Sequence, residues 1–303
     1  MLVSAGVNLN LKLIEMMTFF LITTDHLETR LWFRDADDFR TGMNLVASVA
    51  FSLGVSVLSF ILMSNHVHFV LESTEDGALR FITEFKRVYS RYLSHKYGAK
   101  ETLRRNGIDV QELALGKESL ERAIAYVQMN CVAANICDHP SNYAWGTGQA
   151  FFQVSPGKGT PVGNLSVRAR YRLLHSKVDL PAGWLVGEDR FVLPGSYVNV
   201  RFVESLFRTP KRMNYFLQNS SKAKQAMSKM DSRQPSFRDQ TILLALPDLC
   251  ASMFQEPNVE NLTEDQHSVL VDQLRRRFCA DINQIGRVTG IPHEKLVRLF
   301  NNF

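Results

Sequence analysis

The run Phe60-Ile-Leu-Met-Ser-Asn-His66-Val-His68-Phe-Val-Leu71 constrains the fold more than any other stretch of this chain. It is strongly apolar, has strand length and carries β-branched residues, so it reads as buried strand. Side chains alternate faces along a strand, so Val67, Phe69 and Leu71 can enter a core while His66 and His68 point together to the other side. Two imidazoles on one face make half of a metal site. Taken alone, the pair reads first as half-buried histidines hydrogen-bonded to their neighbours.

A second constellation lies in Leu120-Glu-Arg-Ala-Ile-Ala-Tyr126-Val-Gln-Met-Asn130-Cys-Val-Ala-Ala-Asn135. Leu120, Ile124, Val127, Cys131 and Ala134 recur at spacings of three and four, which predicts a helix over 118–136. Tyr126 and Asn130, four residues apart, leave that helix on one stripe beside the buried one. The phenol can act as an oxygen nucleophile, and the Asn130 amide oxygen can complete a metal site begun by His66 and His68. A surface tyrosine with a helix-capping asparagine is the competing reading.

Together these segments resemble the single-tyrosine HUH nucleases, and within them the REP-associated tyrosine transposases. His66-Val67-His68 matches the His, bulky apolar, His motif, and Tyr126 to Asn130 matches the Tyr-x-x-x-Asn pattern. His139-Pro140-Ser-Asn-Tyr143-Ala-Trp145 is similar to the family's His-Pro-x-x-Tyr-x-Trp segment. The resemblance covers residues 17 to 150. Two departures stand out: Cys131 follows Asn130 where the family has proline, and Gly146 and Thr147 replace paired serines.

The resemblance implies an α+β fold with a ferredoxin-like or RRM-like core, an antiparallel sheet with helices on one face. It also implies an enzyme in which Tyr126 attacks single-stranded DNA, forms a 5′-phosphotyrosine link and frees a 3′-hydroxyl that later rejoins strands. Transesterification conserves bond energy, and no Walker-type glycine-rich loop is found in the sequence. Two imidazoles and one amide oxygen leave positions open for phosphate oxygens and water, which suits Mg²⁺ or Mn²⁺. Zinc remains possible from the ligands alone. A phenol is mostly protonated at neutral pH, and the sequence does not identify the base that would take its proton. The expected partner is single-stranded DNA with a hairpin, bound by a monomer or homodimer.

The 303 residues allow two domains, and the 45% hydrophobic content is that of a globular protein rather than a disordered one. A net charge of +5 favours polyanionic partners only where it is concentrated. Between Arg80 and Arg105 eight Lys or Arg face Glu84 and Glu101, and between Arg208 and Arg238 eight face Asp231. Within the first run, Tyr89, Tyr92 and Tyr97 interleave with Lys86, Arg87, Arg91 and Lys96, a mixture suited to backbone phosphate and stacked bases. The same helix has an amphipathic stripe, Leu79, Ile82, Phe85, Tyr89 and Tyr92, so the expectation is a buried stripe with basic side chains outside.

The cysteines, Cys131, Cys137, Cys250 and Cys279, show no Cys-x-x-Cys pairing, which reads as a reduced, cytoplasmic protein. Neither a secretion signal nor a membrane span is evident.

The pattern predicts strands at 18–24, 55–63 and 65–72, and helices at 36–53 and 76–97. Residues 1–16 read as an extension, 17–152 as the catalytic domain, 153–164 as a linker, 165–260 as an accessory DNA-binding region and 261–303 as a helix-turn-helix. In the last unit Ile282, Ile285 and Val288 fall on one helix, Gly290-Ile-Pro292 forms the break, and Leu296, Val297 and Phe300 fall on the next. Arg275, Arg276, Lys295 and Arg298 are its candidate DNA contacts, as Lys86, Arg87 and Arg91 are in the first basic run. Two other readings stand beside the transposase: a non-catalytic DNA-binding repressor, and an HUH replication initiator or relaxase.

Overall fold

A computed structural model describes residues 18–24, 30–98, 103, 107–114, 116, 118–153, 157–223, 237–278 and 280–301. The predicted extension 1–16, Cys279 and the basic residues Lys100, Arg104, Arg105, Lys224, Lys229 and Arg233 lie outside the described residues.

The chain begins β1 (Thr18–Thr24), α1 (Ala36–Leu53), β2 (Ser56–Leu62), β3 (Val67–Ser73), α2 (Glu75–Tyr97) and β4 (Ile108–Leu113). Local chemistry explains the boundaries. Asp35 caps α1 through a reciprocal box with Asp38, and Gly54 ends it at φ 64°, a conformation costly for a side chain. Thr74 caps α2 by accepting from the Gly77 N–H.

The four strands pair antiparallel in the order β2-β3-β1-β4. β1 and β2 are separated by β3, so the unit is the split β-α-β arrangement of a ferredoxin-like core. Strand β4 was not anticipated from the sequence.

One sheet face packs on α1 and α2. Phe69 meets Phe81 and Phe85 edge-on, with ring centroids at 5.0 and 5.6 Å. Full burial of such a ring contributes about 1.5–3 kcal/mol. Val67, Phe69 and Leu71 are buried as the two-residue period requires.

The opposite face carries His68, paired in register with Thr23, and is crossed by α3 (Ser119–Gln128). The expected helix over 118–136 is shorter and interrupted: α3 stops at Gln128, Met129 adopts φ −77°, ψ 0°, and a single turn, α4 (Asn130–Ala133), follows. The core thus has α1 and α2 on one face, as expected, and a further helix on the histidine side.

The segment after the tyrosine helix docks on the edge of β2. Leu62 N–H donates to the Trp145 carbonyl, the Tyr143 hydroxyl donates to the Leu62 carbonyl at 2.8 Å, and Trp145 stacks on Phe39. Gly146 is required there, because a Cβ would lie 2.7 Å from the Phe60 carbonyl oxygen.

Downstream come β5 (Thr160–Pro161), α5 (Val167–Leu174), β6 (Leu185–Val186), α6 (Val200–Phe207) and α7 (Pro210–Gln218). Residues 165–260 divide between three cores. Val203, Phe207, Met213 and Phe216 join the core of the sheet. Leu174, Leu180, Val186 and Val192 form a small cluster with Ala47 of α1. The third core belongs to α8 (Asp239–Phe254), α9 (Glu264–Phe278), α10 (Ile282–Thr289) and α11 (His293–Asn301). Gly290 sits between α10 and α11 at φ 72°, as the predicted turn demands. No helix of the described residues is long and apolar enough to cross a membrane.

Candidate active site

Strand register and a crossing helix bring the sequence-distant groups together. The His66 and His68 ring centroids are 4.9 Å apart, nearly perpendicular. The Tyr126 ring, carried by α3, stands 5.6 Å from His68, also edge-on. Three of the four predicted site residues therefore share one patch of the sheet.

Each imidazole is oriented by a neighbour. His66 Nδ1 is 2.9 Å from Asn65 Oδ1, and His68 Nδ1 is 3.1 Å from Thr23 Oγ1. With Nδ1–H as donor in both contacts, the lone pair stays on Nε2, the form a metal ligand needs. His68 is buried and His66 half-buried, so the pair has one side in the protein and one toward the surface.

Tyr126 lines an open groove of about 660 Å³ with Leu21, Thr23, Asp109 and Gln111. The register places Thr23 opposite both His68 and Asp109, so the groove runs along the sheet face that holds the histidines. Burial, and behind it the negative charge of Asp109, push the Tyr126 phenol above its ordinary value of 10.0. Lys222 brings a positive charge to the same ring, with Nζ 5.1 Å from the centroid.

Asn130 is buried, and its amide Nδ2 donates to the Tyr126 and Val127 carbonyls at 2.9 and 3.2 Å. Its amide nitrogen thus anchors the irregular turn. Among the described residues no group of three or more His, Cys, Asp or Glu side chains converges as a metal site. The two imidazoles are donors that fit a divalent ion with positions left open for water and phosphate oxygens.

The basic helix α2 differs from its expected role. Lys86 is 2% exposed, which removes it from any DNA surface. Tyr89 is fully buried and donates to the Trp32 carbonyl at 2.7 Å. Tyr92 and Tyr97 donate to Asp38, and Lys96 bridges Asp35 and Asp38. Tyr89 has no face left for a base, and the Tyr92 and Tyr97 hydroxyls are engaged by a carboxylate network between two helices. Arg87 and Arg91 are on the outer side of the helix layer, away from Tyr126. In the C-terminal unit Arg276 pairs with Asp272, Lys295 Nζ lies 3.3 Å from His267 Nδ1, Arg275 is half-buried and Arg298 is exposed.

Four contributors escaped the sequence reading: Thr23, Asn65, Asp109 and Lys222. Asn65 adjoins the His pair and was within reach of a local argument, whereas the others arrive through strand pairing or tertiary packing.

No family model matches the chain, and no curated protein matches it. Among solved structures, it is similar to a REP-associated tyrosine transposase bound to a REP hairpin. The likeness covers 55% of this chain and 91% of that one, at 12% identity and a TM-score of 0.34.

Proposed function

We propose that the chain is a metal-dependent single-stranded DNA endonuclease and strand transferase, with Tyr126 as nucleophile. The observation that carries this reading is the placement of the Tyr126 ring 5.6 Å from His68, beside His66, in an open groove. A histidine pair alone is commonplace; a phenol delivered to it from a separate helix, packed on the core by its ring yet lining an open groove, is not.

In the proposed reaction the Tyr126 oxygen attacks a backbone phosphorus as the P–O3′ bond breaks. The phenolic proton passes to water, the departing 3′-oxygen takes up a proton, and the 5′-phosphate stays on Tyr126. Attack by a 3′-hydroxyl on that link reverses the step and joins strands. His66, His68 and Asn130 would hold Mg²⁺ or Mn²⁺, which supplies charge stabilisation at the phosphate when bound. Thr23 and Asn65 keep the imidazoles in the ligating tautomer. Lys222 sets a cation beside the Tyr126 ring, where it would attract a nearby phosphate.

The test is single-turnover cleavage of a single-stranded oligonucleotide pool that includes hairpins. Tyr126→Phe should abolish cleavage while DNA binding persists, and a chelator should abolish it in the parent chain. Cleavage by Tyr126→Phe at the parent rate would remove the nucleophile assignment. Binding without cleavage in the parent would leave the repressor reading, which the α10–Gly290–α11 turn supports.

A further inference from the structure

On the far side of the helix layer from Tyr126, α1, α2 and the end of α5 enclose a second groove of about 610 Å³. Arg80, Arg87 and Arg91 come from α2, and Tyr171 and Lys177 from the α5 wall. Glu84 is the only carboxylate in this lining, and Arg87 holds it through two contacts of 2.6 Å. Glu84 also feels the charge of Arg91, so the lining carries four cations against one carboxylate, and Arg80 and Lys177 form no ion pair with it. Outside the groove, Asp76 lies 3.8 Å from Arg80 with both side chains mostly in water, a pairing worth little.

Two features separate this groove from an ordinary solvated helix face. Tyr171 is 55% exposed and Leu79 is 42% exposed, an arrangement that buries little and offers a ring and an apolar ledge to a ligand. Helix α5 repeats the theme, with Arg168 and Arg172 also exposed and Leu174 alone buried. Cationic side chains that track a backbone, beside an aromatic on which a base can stack, are the means by which proteins hold single strands. The exposed ring of Tyr171 argues for one strand, because only an unpaired base offers its face for stacking.

We propose that this groove binds a single-stranded nucleic-acid segment, distinct from the strand at Tyr126, through phosphate contacts from Arg80, Arg91 and Lys177 and a base stacked on Tyr171. A helix with its side chains is about 10–12 Å across, so one straight strand cannot touch both sites. The inference rests on the proposed function only for the kind of polymer, and it makes the chain a two-site protein that can hold a flank while it cuts elsewhere.

The test uses the full chain in a Tyr126→Phe background, so that no cleavage confuses the binding. The probe is fluorescein-labelled oligo-dT, read by anisotropy at several salt concentrations. Each phosphate contact to a single strand contributes about 0.7 to the log–log salt slope, so Arg80→Gln with Lys177→Gln should lower it by about 1.4. A rise from about 50 to 200 mM salt should then weaken the variant about 7-fold less than the parent. Iodouracil-substituted oligonucleotide should photo-crosslink to Tyr171, and Tyr171→Ala should lose that adduct. An unchanged slope with no adduct at Tyr171 overturns the groove; equal competition by duplex and single strand overturns the single-strand assignment. If Tyr126→Phe still cuts DNA while the slope falls as stated, the nucleophile assignment fails and the groove stands.

Discussion

Lys96→Met separates a structural from a DNA-binding role for the basic helix. Lys96 Nζ lies 2.7 Å from both Asp35 Oδ2 and Asp38 Oδ1, and the Asp38 side chain is 0% exposed. Breaking a buried ion pair by removing one partner costs about 3–5 kcal/mol when the remaining charge is stripped of partners. Asp38 is not stripped, because it still accepts from the Arg34 N–H at 2.7 Å and from the Tyr92 and Tyr97 hydroxyls at 2.9 Å each. The expected loss is therefore about 2–3 kcal/mol, near the value of a charged hydrogen bond. For a chain of this size each kcal/mol moves Tm by about 2–4 °C, so the variant should melt roughly 4–12 °C lower.

The pH dependence follows from the same network. Desolvation pushes the Asp35 carboxyl up, but bonds from Lys96 and the Asp38 N–H outweigh it and hold the group below its ordinary 3.8. That contribution is present above 3.8 and is lost as pH falls through the lower folded value. Desolvation pulls Lys96 down, yet its bonds to Asp35 and Asp38 prevail and raise it above 10.5, so its contribution is full below 10.5 and fades at higher pH. Thermal melts of parent and variant across this window, paired with oligo-dT binding, provide the assay. A variant that melts with the parent but binds DNA several-fold more weakly would refute the structural reading of Lys96.

Three further outcomes are expected. Thr23→Val removes the hydroxyl beside His68 Nδ1, and loss of such an orienting partner should weaken Mn²⁺ binding about 10–100-fold in calorimetric titration; unchanged affinity would exclude His68 as a ligand oriented this way. Lys222→Met should slow cleavage about tenfold, equivalent to about 1.4 kcal/mol of lost charge stabilisation, with unchanged melting; an unaltered rate would make Lys222 a bystander. Gly146→Ala forces a Cβ against the Phe60 carbonyl and should cost about 1–3 kcal/mol in urea unfolding; no loss would mean that the segment after the tyrosine helix sits further from β2.

Much of the fold was written in local patterns. α1 was expected at 36–53 and is found at Ala36–Leu53, and β1 at 18–24 is found at Thr18–Thr24, since caps and periodicity act within a few residues. β4, Ile108–Leu113, escaped because it is an edge strand that exposes most of its side chains, so burial left little alternation to read. The long tyrosine helix was overextended because its apolar spacing continues past Met129, where the backbone departs from helical geometry. That His66 and His68 share one face of the sheet was legible from the two-residue period. Tyr126 was legible from a helical stripe joined to a family resemblance. Thr23 and Asp109 reach the site through pairing of β1 with β3 and β4, and Lys222 through packing of a distant segment. Tyr92, Tyr97 and Lys96 looked like a DNA surface because the carboxylates that consume them, Asp35 and Asp38, lie on another helix.

Trapping the covalent intermediate tests the central claim most directly. A 3′-labelled single strand incubated with the chain and Mn²⁺, denatured and digested, should leave labelled DNA on the peptide that contains Tyr126, and His68→Ala should prevent it. Adducts on another tyrosine, or the same adduct in Tyr126→Phe, would contradict the account.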